Sequence, residues 1–199
     1  MRVCKALRLV LITHQMVCIC IMAMLLTGCA ASNHKATNIA DEIAMSKKSK
    51  TRLMHRVIDA SIIIDAPVEE VWAVLVDFSS WGSWNEFIPE VKGTFLVGER
   101  LRIKVVSPGL KPMVFNPEIF EIKQNEAILW GGSFLGVIYR GDHTFLLEPA
   151  PGVKTLFRQI ERFMGPMVLL MGSMIEKTKL GYHQMNRALK EQVEGSCPK

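Results

Sequence analysis

The sequence predicts an α+β fold in which an antiparallel sheet of about seven strands packs against one long C-terminal helix. Two patterns predict it. Apolar residues recur at steps of three or four between Phe163 and Val193, which is the spacing of one helix face. Between Val57 and Phe163, short segments of alternating apolar and polar residues are separated by turn residues, as in antiparallel strands. The 199 residues allow one such domain plus terminal segments.

The stretch from Phe163 to Val193 contains the predicted C-terminal helix, which opens at Gly165-Pro166 because proline suits a first helical turn. Its apolar face is rich in methionine and comprises Met167, Met171, Met174, Thr178, Tyr182, Met185, Leu189 and Val193. Methionine packs ordinary cores, but its flexible and polarizable side chain also lines adaptable binding surfaces. The pattern leaves open whether the space beside this helix is packed or hollow.

Two short helices are predicted after a first strand, Val57–Asp65. Pro67 lies where the first helix would begin. The buried stripe of that helix is Val71, Trp72, Leu75 and Val76. The following segment, Asp77–Asn85, is predicted to be a second short helix or tight turns, and it contains Trp81 and Trp84. Its aromatic rings either close one end of the sheet or form the wall of a pocket mouth.

The alternating segments predict six further strands: Val91–Phe95, Leu101–Val106, Glu118–Lys123, Ala127–Trp130, Asp142–Glu148 and Lys154–Phe163. Ser107–Pro117 is predicted to be a proline-rich loop. A second loop, Ser133–Gly141, carries the apolar residues Phe134, Leu135, Val137, Ile138 and Tyr139. Such residues either fold over a cavity mouth or contact a membrane, and we expect them to fold inward.

The last two of these strands are predicted to form a hairpin across Pro149–Val153. This pairing places Phe145 opposite Phe157 and His143 opposite Gln159. Because side chains alternate along a strand, His143, Phe145, Phe157 and Gln159 then share the apolar face.

Three polar side chains, His143, Gln159 and Glu161, reach this apolar face together. Buried polar groups need partners, so the trio is either a self-satisfied network or a site that anchors a ligand. A carboxylate near a histidine can also exchange protons. Alternatively, Glu161 pairs with Arg140 or Arg162 at the strand end.

Residues 1–28 predict a secretory signal, with three basic residues before the eleven-residue apolar run Met16–Leu26. That run is too short to span a bilayer comfortably, although an uncleaved anchor is the alternative. Leu26-Thr27-Gly28-Cys29 resembles the lipobox of bacterial lipoproteins, in which the cysteine receives the lipid. We therefore expect a lipid anchor at Cys29 that holds the chain to a membrane of the bacterial cell envelope, facing the periplasm or the exterior.

The remaining boundaries follow from composition. Residues 29–54 are predicted to be a flexible tether, 55–195 one folded domain and 196–199 a short tail. Once the signal is removed and Cys29 is lipidated, Cys197 is the single remaining free thiol, so we expect no internal disulfide.

Charge and motif content argue against several classes of function. The formal charge of +5 falls when the three basic residues of the signal are removed, leaving 21 basic against 19 acidic residues. This balance, without any basic-aromatic stripe, argues against nucleic-acid binding. Cysteine–histidine spacing for a metal, a phosphate-binding loop and a nucleophile elbow are absent from the sequence, so no metal or cofactor is expected.

The order of these elements resembles the SRPBCC or START-like superfamily, and within it the polyketide-cyclase/dehydrase-like group. The stretches that carry the resemblance are Ile62–Trp72, Asp77-Phe78, Trp81–Asn85, Trp130–Gly132, Gly141–Phe145, Glu161–Gly165 and Met185–Lys190. It covers Arg56–Glu194, with one departure, Asn85-Glu86-Phe87, where the group often has Asn-Pro-Phe. The resemblance implies a helix-grip fold, in which a curved sheet encloses an apolar cavity against the C-terminal helix.

Members of this superfamily bind lipids, sterols, polyketides or plant hormones, and a minority catalyse cyclisation or dehydration. The candidate cavity residues are Trp81, Trp84, Phe120, Trp130, His143, Phe145, Phe157, Gln159, Glu161, Met167, Met171 and Met174. We expect a monomer that binds a hydrophobic small molecule or lipid. A cyclase- or dehydratase-type enzyme and a non-catalytic envelope interaction module are the alternatives, and no residue is assigned a catalytic role.

Overall fold

The structure, a computed structural model, describes residues 54–196. In this part the chain forms eight strands: β1 (His55–Ile64), β2 (Glu90–Lys92), β3 (Arg102–Val105), β4 (Met113–Phe115), β5 (Glu118–Lys123), β6 (Ala127–Phe134), β7 (Tyr139–Ala150) and β8 (Lys154–Met164). The helices of this part are α1 (Val68–Val76), α2 (Trp81–Trp84), a 3₁₀ segment (Pro166–Leu170) and α3 (Gly172–Ser196). The predicted signal, Cys29 and the tether as far as residue 53 lie outside the described residues.

The strands form two antiparallel sheets, one with the order β1-β8-β7-β6-β5 and one with the order β2-β3-β4. Backbone hydrogen bonds connect the segment before β3 with the start of β5. Gly98 N–H donates to Ile119 O (2.8 Å), and Leu101 N–H donates to Pro117 O (2.9 Å). This arrangement confirms the α+β fold class, with a curved antiparallel sheet and a long C-terminal helix. The proline-rich segment predicted as a loop contains a strand, β4, which brings the count to eight in the described residues.

The predicted register of the last hairpin is wrong by two residues. In the structure Phe145 lies opposite Gln159, and His143 lies opposite Glu161. The turn is centred on Gly152, whose φ of 81° places it in the left-handed region. A shift of two residues keeps every side chain on its predicted face, so the division into inner and outer residues is correct.

The prediction of one continuous helix that opens at Gly165-Pro166 is also wrong. Strand β8 continues to Met164, and the 3₁₀ segment then precedes α3, which begins at Gly172. Gly165, with φ of 107°, turns the chain out of the sheet, and Pro166 cannot donate to a strand ladder. Two of the predicted helical methionines therefore lie before α3, Met167 in the 3₁₀ segment and Met171 just after it.

Helices α1 and α2 close one end of the sheet. Pro67 is the N-cap of α1 rather than a residue of its first turn. The Trp81 ring is fully buried, and its Nε1–H donates to Leu75 O (3.1 Å). It lies edge-on to Phe78 and to Phe145. The aromatic residues of α2 thus close the end of the core.

The second half of α3 packs tightly on the sheet. Met185, Leu189 and Val193 are each at most 2% exposed and belong to the main core. Lys190 Nζ–H donates to Ile63 O (2.9 Å), which joins this half of the helix to β1. Within residues 54–196 no helix combines the length and apolar character needed to cross a membrane.

Candidate ligand-binding cavity

A cavity of about 630 Å³ lies beside the first half of α3, enclosed by both sheets and the 3₁₀ segment. Apolar side chains form most of its wall: Phe87, Ile88, Ile103, Val105, Met113, Val114, Phe115, Pro117, Trp130, Phe134, Phe163, Met167, Met171 and Met174. The polar residues that line it are Arg100, Ser107, Asn116, Ser133, Tyr139, His143, Glu161, Thr178 and Tyr182. The apolar face of α3 therefore packs against the core along its second half and borders a cavity along its first half.

The rim of the cavity is the part of its lining that reaches the surface. Val114 is 48% exposed and Phe115 is 40% exposed, both on β4, and Phe134 at the end of β6 is 56% exposed. These three residues line the cavity as well. The mouth therefore lies between β4 and the end of β6.

One close backbone approach shapes the wall beneath α3. The Phe87 ring lies against the helix at Gly181, where an added Cβ would overlap the ring carbons. The ring also meets Tyr182 edge-on, with 5.4 Å between the centroids. Only glycine at position 181 lets this cavity residue sit so near the helix axis.

The polar end of the cavity is built from β7, β8 and α3. His143 Nδ1 lies 2.9 Å from the Tyr182 hydroxyl and 3.6 Å from Glu161 Oε2. His143 and Tyr182 are each less than 5% exposed. The Tyr182 hydroxyl and the Glu161 carboxylate therefore both lie on the Nδ1 side of the imidazole, and Nε2 is left without a partner among the described residues.

Tyr139 adds a second hydroxyl beside Glu161. A Cβ built on Gly141 would lie 2.7 Å from the Tyr139 hydroxyl and 3.3 Å from Glu161 Oε1, so the two groups converge over this glycine. Burial raises the pKa of Tyr139, and the nearby carboxylates of Glu161 and Asp142 raise that pKa further. The phenol remains protonated at neutral pH and can donate a hydrogen bond.

The predicted polar trio is divided by the structure. Gln159 Nε2–H donates to Asn186 Oδ1 (2.7 Å) and to Tyr182 O (3.4 Å), which links the sheet to α3 inside the packed core. His143 and Glu161 line the cavity instead. Gln159 is thus a structural contact between the sheet and α3, and of the trio only His143 and Glu161 adjoin the cavity. The alternative partner Arg140 pairs with Asp142, at 2.7 Å.

Six of the twelve candidate residues line the cavity: Trp130, His143, Glu161, Met167, Met171 and Met174. The other six lie elsewhere in the described part of the chain. Trp81, Phe145 and Phe157 are fully buried in the main core, and Trp84 packs at its edge. Gln159 binds Asn186 in the packed core. Phe120 is the unpaired residue at a bulge in β5, and it packs on the opposite face of the sheet, under the Arg140 guanidinium.

Sequence reasoning missed the wall formed by the smaller sheet. The inward residues of β3, Ile103 and Val105, line the cavity, and their alternation was readable in the sequence. The residues of β4 gave no such signal, because the prolines around Met113–Phe115 indicated a loop. Tyr139 was assigned to a loop, although it opens β7.

The expectation that the apolar loop folds inward is wrong for most of its residues. Leu135 is 70% exposed and Val137 is 85% exposed. The connection between β6 and β7 is only four residues long, and positive φ angles at Leu135 (48°) and Gly136 (60°) make it a tight turn. A turn this short cannot reach across the mouth. Tyr139 alone of the five predicted residues is half-buried and directed into the structure.

The donor set of the described residues does not suggest a metal centre, since no group of three His, Cys, Asp or Glu side chains there could hold an ion. The chemistry available at the polar end is hydrogen bonding and proton exchange through His143, Tyr182 and Glu161. Ser107 Oγ, also buried in the cavity lining, has no hydrogen-bond partner in the described structure and offers a second polar contact.

Comparison with known proteins agrees with this geometry. The family described as polyketide cyclase / dehydrase and lipid transport matches residues 55–194, well over half of the chain. Sequence comparison with curated proteins gives no match.

Three solved structures illustrate the similarity of fold. The Zhui aromatase/cyclase from a Streptomyces species is 13% identical with a TM-score of 0.58, covering 70% of this chain and 94% of its own. A Thermus thermophilus protein is 17% identical with a TM-score of 0.58, covering 72% of this chain and 100% of its own. Norcoclaurine synthase from Thalictrum flavum, solved with dopamine and hydroxybenzaldehyde, is 15% identical with a TM-score of 0.56, covering 73% and 90%. At these identities the likeness is one of fold.

Proposed function

The chain belongs to the polyketide cyclase/dehydrase and lipid transport family, and from that premise we propose that it binds a hydrophobic small molecule or lipid in the cavity beside α3. The observation that carries this proposal is the cavity itself. Its volume of about 630 Å³ lies in the range of small-molecule sites, which are typically about 300–1,000 Å³. Its wall is mostly apolar, with a few polar groups at one end, which is the usual composition of such sites.

The polar end restricts the chemistry of the ligand. His143 Nε2 and Ser107 Oγ are buried and lack hydrogen-bond partners among residues 54–196, and an unpartnered buried polar group is costly. A ligand that supplies a hydroxyl, carbonyl or carboxylate to these atoms would satisfy them. We therefore propose an apolar ligand body with at least one polar group, which lies beside His143.

The proposal includes a membrane anchor at Cys29, supported by the lipobox-like Leu26–Cys29 after an apolar run. Such an anchor would hold the cavity near the envelope lipids. Replacing the cysteine, Cys29→Ser, is expected to abolish incorporation of labelled palmitate. Equal labelling of the variant and the parent protein would contradict this part of the proposal.

A cavity-filling variant tests the binding function. Strand alternation places Gly132 on the same face of β6 as Trp130 and Phe134, and no described heavy atom lies within 4 Å of a Cβ built there. Gly132→Trp should fill the cavity and lower the affinity for an anilinonaphthalene sulfonate probe by about tenfold or more, equivalent to about 1.4 kcal/mol of binding free energy. It should also reduce the lipid that co-purifies with the protein, measured by mass spectrometry.

The matched control is Gly195→Trp near the end of α3, which likewise has open space around its Cβ in the described structure. This variant should bind the probe as the parent protein does. Equal affinity in both variants, with both folded by circular dichroism, would contradict binding in this cavity.

A second candidate function is a dehydration or cyclisation reaction, which the contact between His143 and Tyr182 beside Glu161 favours. A histidine so placed can move a proton to or from a bound ligand. Ligand recovered from the parent protein and from His143→Gln would then differ in mass by one water or in ring count. Identical ligands in both would support binding without turnover.

A further inference from the structure

An exposed apolar surface adjoins the cavity mouth. It comprises the β6–β7 turn and the end of the 3₁₀ segment, and we call it the apolar edge: Phe134, Leu135, Val137, Ile138, Leu169 and Leu170. Exposure reaches 85% at Val137 and 89% at Leu170. Large apolar side chains exposed as a group, rather than singly, mark interaction sites.

The two segments of the apolar edge are held together by the backbone. Met167 N–H donates to Ile138 O (3.2 Å). The Gly165 backbone lies so close to the carbonyls of Val137 and Ile138 that an added Cβ would clash with them. The edge is therefore one continuous surface rather than two separate loops.

Charged residues are missing from the sequence of both segments. Neither the stretch from Ser133 to Tyr139 nor the stretch from Gly165 to Ile175 contains Asp, Glu, Lys or Arg. A surface without charges can enter the interface of a bilayer without the cost of desolvating an ion.

The apolar edge is continuous with the cavity rim, because Phe134 belongs to both. Val114 and Phe115 on β4 are the other large exposed apolar residues that line the cavity. A partner that covers the edge would therefore contact the cavity rim at Phe134.

The N-terminal chain meets the domain at the same edge. Gly165 N–H donates to Met54 O (3.0 Å), and Met54 is the first described residue. Within seven residues before it the sequence places Lys47, Lys48, Lys50 and Arg52, with no acidic residue between Glu42 and Asp59. Seven residues of chain can reach at most about 25 Å from Met54. Basic residues beside an apolar surface match the anionic headgroups of a bilayer.

We propose that the apolar edge docks onto an anionic lipid bilayer with the cavity mouth facing the lipid. The inference rests on the proposed function in one respect, that the Cys29 anchor would hold the domain near such a surface. The docking itself needs only the edge and the basic run. A mouth that faces lipid gives an apolar ligand a route between cavity and bilayer without crossing water.

A pair of tryptophan reporters tests the orientation. Val137 lies at one end of the β7–β8 hairpin and Val153, 73% exposed, lies in the turn at the other end. The twelve residues of β7 separate them by about 40 Å, at about 3.3 Å per residue. Val137→Trp and Val153→Trp are made in the full chain and mixed with phosphatidylcholine/phosphatidylglycerol vesicles that contain dibrominated acyl chains. The parent protein supplies the baseline of its four native tryptophans.

The reporter Val137→Trp should lose roughly half of its added emission, because an interfacial side chain enters the headgroup and acyl boundary. The emission of Val153→Trp should be unchanged, and pure phosphatidylcholine should weaken the quenching. Equal quenching of both reporters, or none at Val137→Trp, would overturn the proposal.

A double variant distinguishes docking onto lipid from ligand binding and from self-association. Val137→Asp combined with Leu170→Asp should lower flotation of the full chain with anionic vesicles, relative to Val153→Asp, and leave probe binding in the cavity unchanged. Loss of probe binding with quenching intact would overturn the binding function but not the docking. Self-association without vesicles that this double variant abolishes would overturn docking in favour of an interface between copies of the chain.

Discussion

The two halves of α3 carry the same apolar pattern and face different surroundings. Its second half, with Leu189 and Val193, packs on β1 and α1 and excludes nearly all solvent. The first half, with Met174 and Tyr182, lines a cavity of about 630 Å³. The regular spacing of apolar residues on a helix face therefore does not determine whether the opposite surface packs against that face. The partner strands and the preceding segment determine that.

The polar residues of the two halves differ in whether they border the cavity. In the packed half the Gln159 side chain reaches Asn186 and a backbone carbonyl of the helix. In the hollow half His143 keeps Nε2 without a partner in the described residues. Gln159 Oε1 and Asn186 Nδ2 also lack partners among the described residues, so the two halves differ in position: His143 lines the cavity, whereas Gln159 and Asn186 do not.

The largest expected effect that tests this comparison is a loss of stability confined to the packed half. Leu189→Ala, at a fully buried position, should lower the free energy of unfolding by about 2–5 kcal/mol. Met174→Ala, on the half-buried cavity wall, should cost about 1 kcal/mol or less, because it removes contacts on one side only. Urea denaturation of both variants measures the difference. Similar losses would mean that the two halves are packed alike.

A smaller effect should separate the two polar networks. Gln159→Leu leaves the Asn186 carbonyl oxygen without its donor and should lower stability by about 1–3 kcal/mol, with little change in ligand affinity. Glu161→Gln should do the reverse: it should weaken ligand binding by about 1–3 kcal/mol and change the free energy of unfolding by less than about 1 kcal/mol. Thermal melts and probe titrations of both variants measure the two effects. A Glu161→Gln protein that melts early and binds normally would make this carboxylate structural.

The smallest expected effect is on stability at alkaline pH, and it compares a titrating residue beside the cavity, Tyr139, with a non-titrating residue of the packed half, Gln159. Tyrosine in the unfolded chain ionises near pH 10, whereas the pKa of Tyr139 in the folded protein is raised by burial and by neighbouring carboxylates. The folded state therefore holds this proton longer, so its contribution to stability is complete below pH 10 and declines as the pH rises further. Tyr139→Phe should make the fall in melting temperature above pH 10 shallower. Gln159→Leu, which removes no titrating group, should leave the shape of that curve unchanged.

The faces of the sheet could be predicted from the sequence because strand alternation has a period of two. His143 and Glu161 were assigned to the inner face, and they lie there even though the predicted register was shifted. The register itself depends on where the turn is centred, and the segment around Gly152 allows more than one centre. A shift of two residues changes every cross-strand partner and no face.

The family resemblance implies a cavity, but the apolar spacing alone does not predict it, because the helix is interrupted at a point that this spacing conceals. Met167 and Met171 fit the helical period but lie before α3, in or beside the 3₁₀ segment. Strand β4, flanked by prolines, supplies a wall that composition identified as a loop. The apolar residues around Val137 predict a buried loop, but the turn is exposed. Apolar composition alone does not reveal that the connection is only four residues long.

The close approach of Phe87 to Gly181 has a consequence for how ligand preference can change over evolutionary time. Gly181 does not line the cavity, but the Phe87 ring does. Even an alanine at position 181 would have to displace that ring. A single methyl group at a position that never meets the ligand would thereby reshape the space the ligand occupies. The shape of the cavity can therefore change through a buried position that does not itself line it.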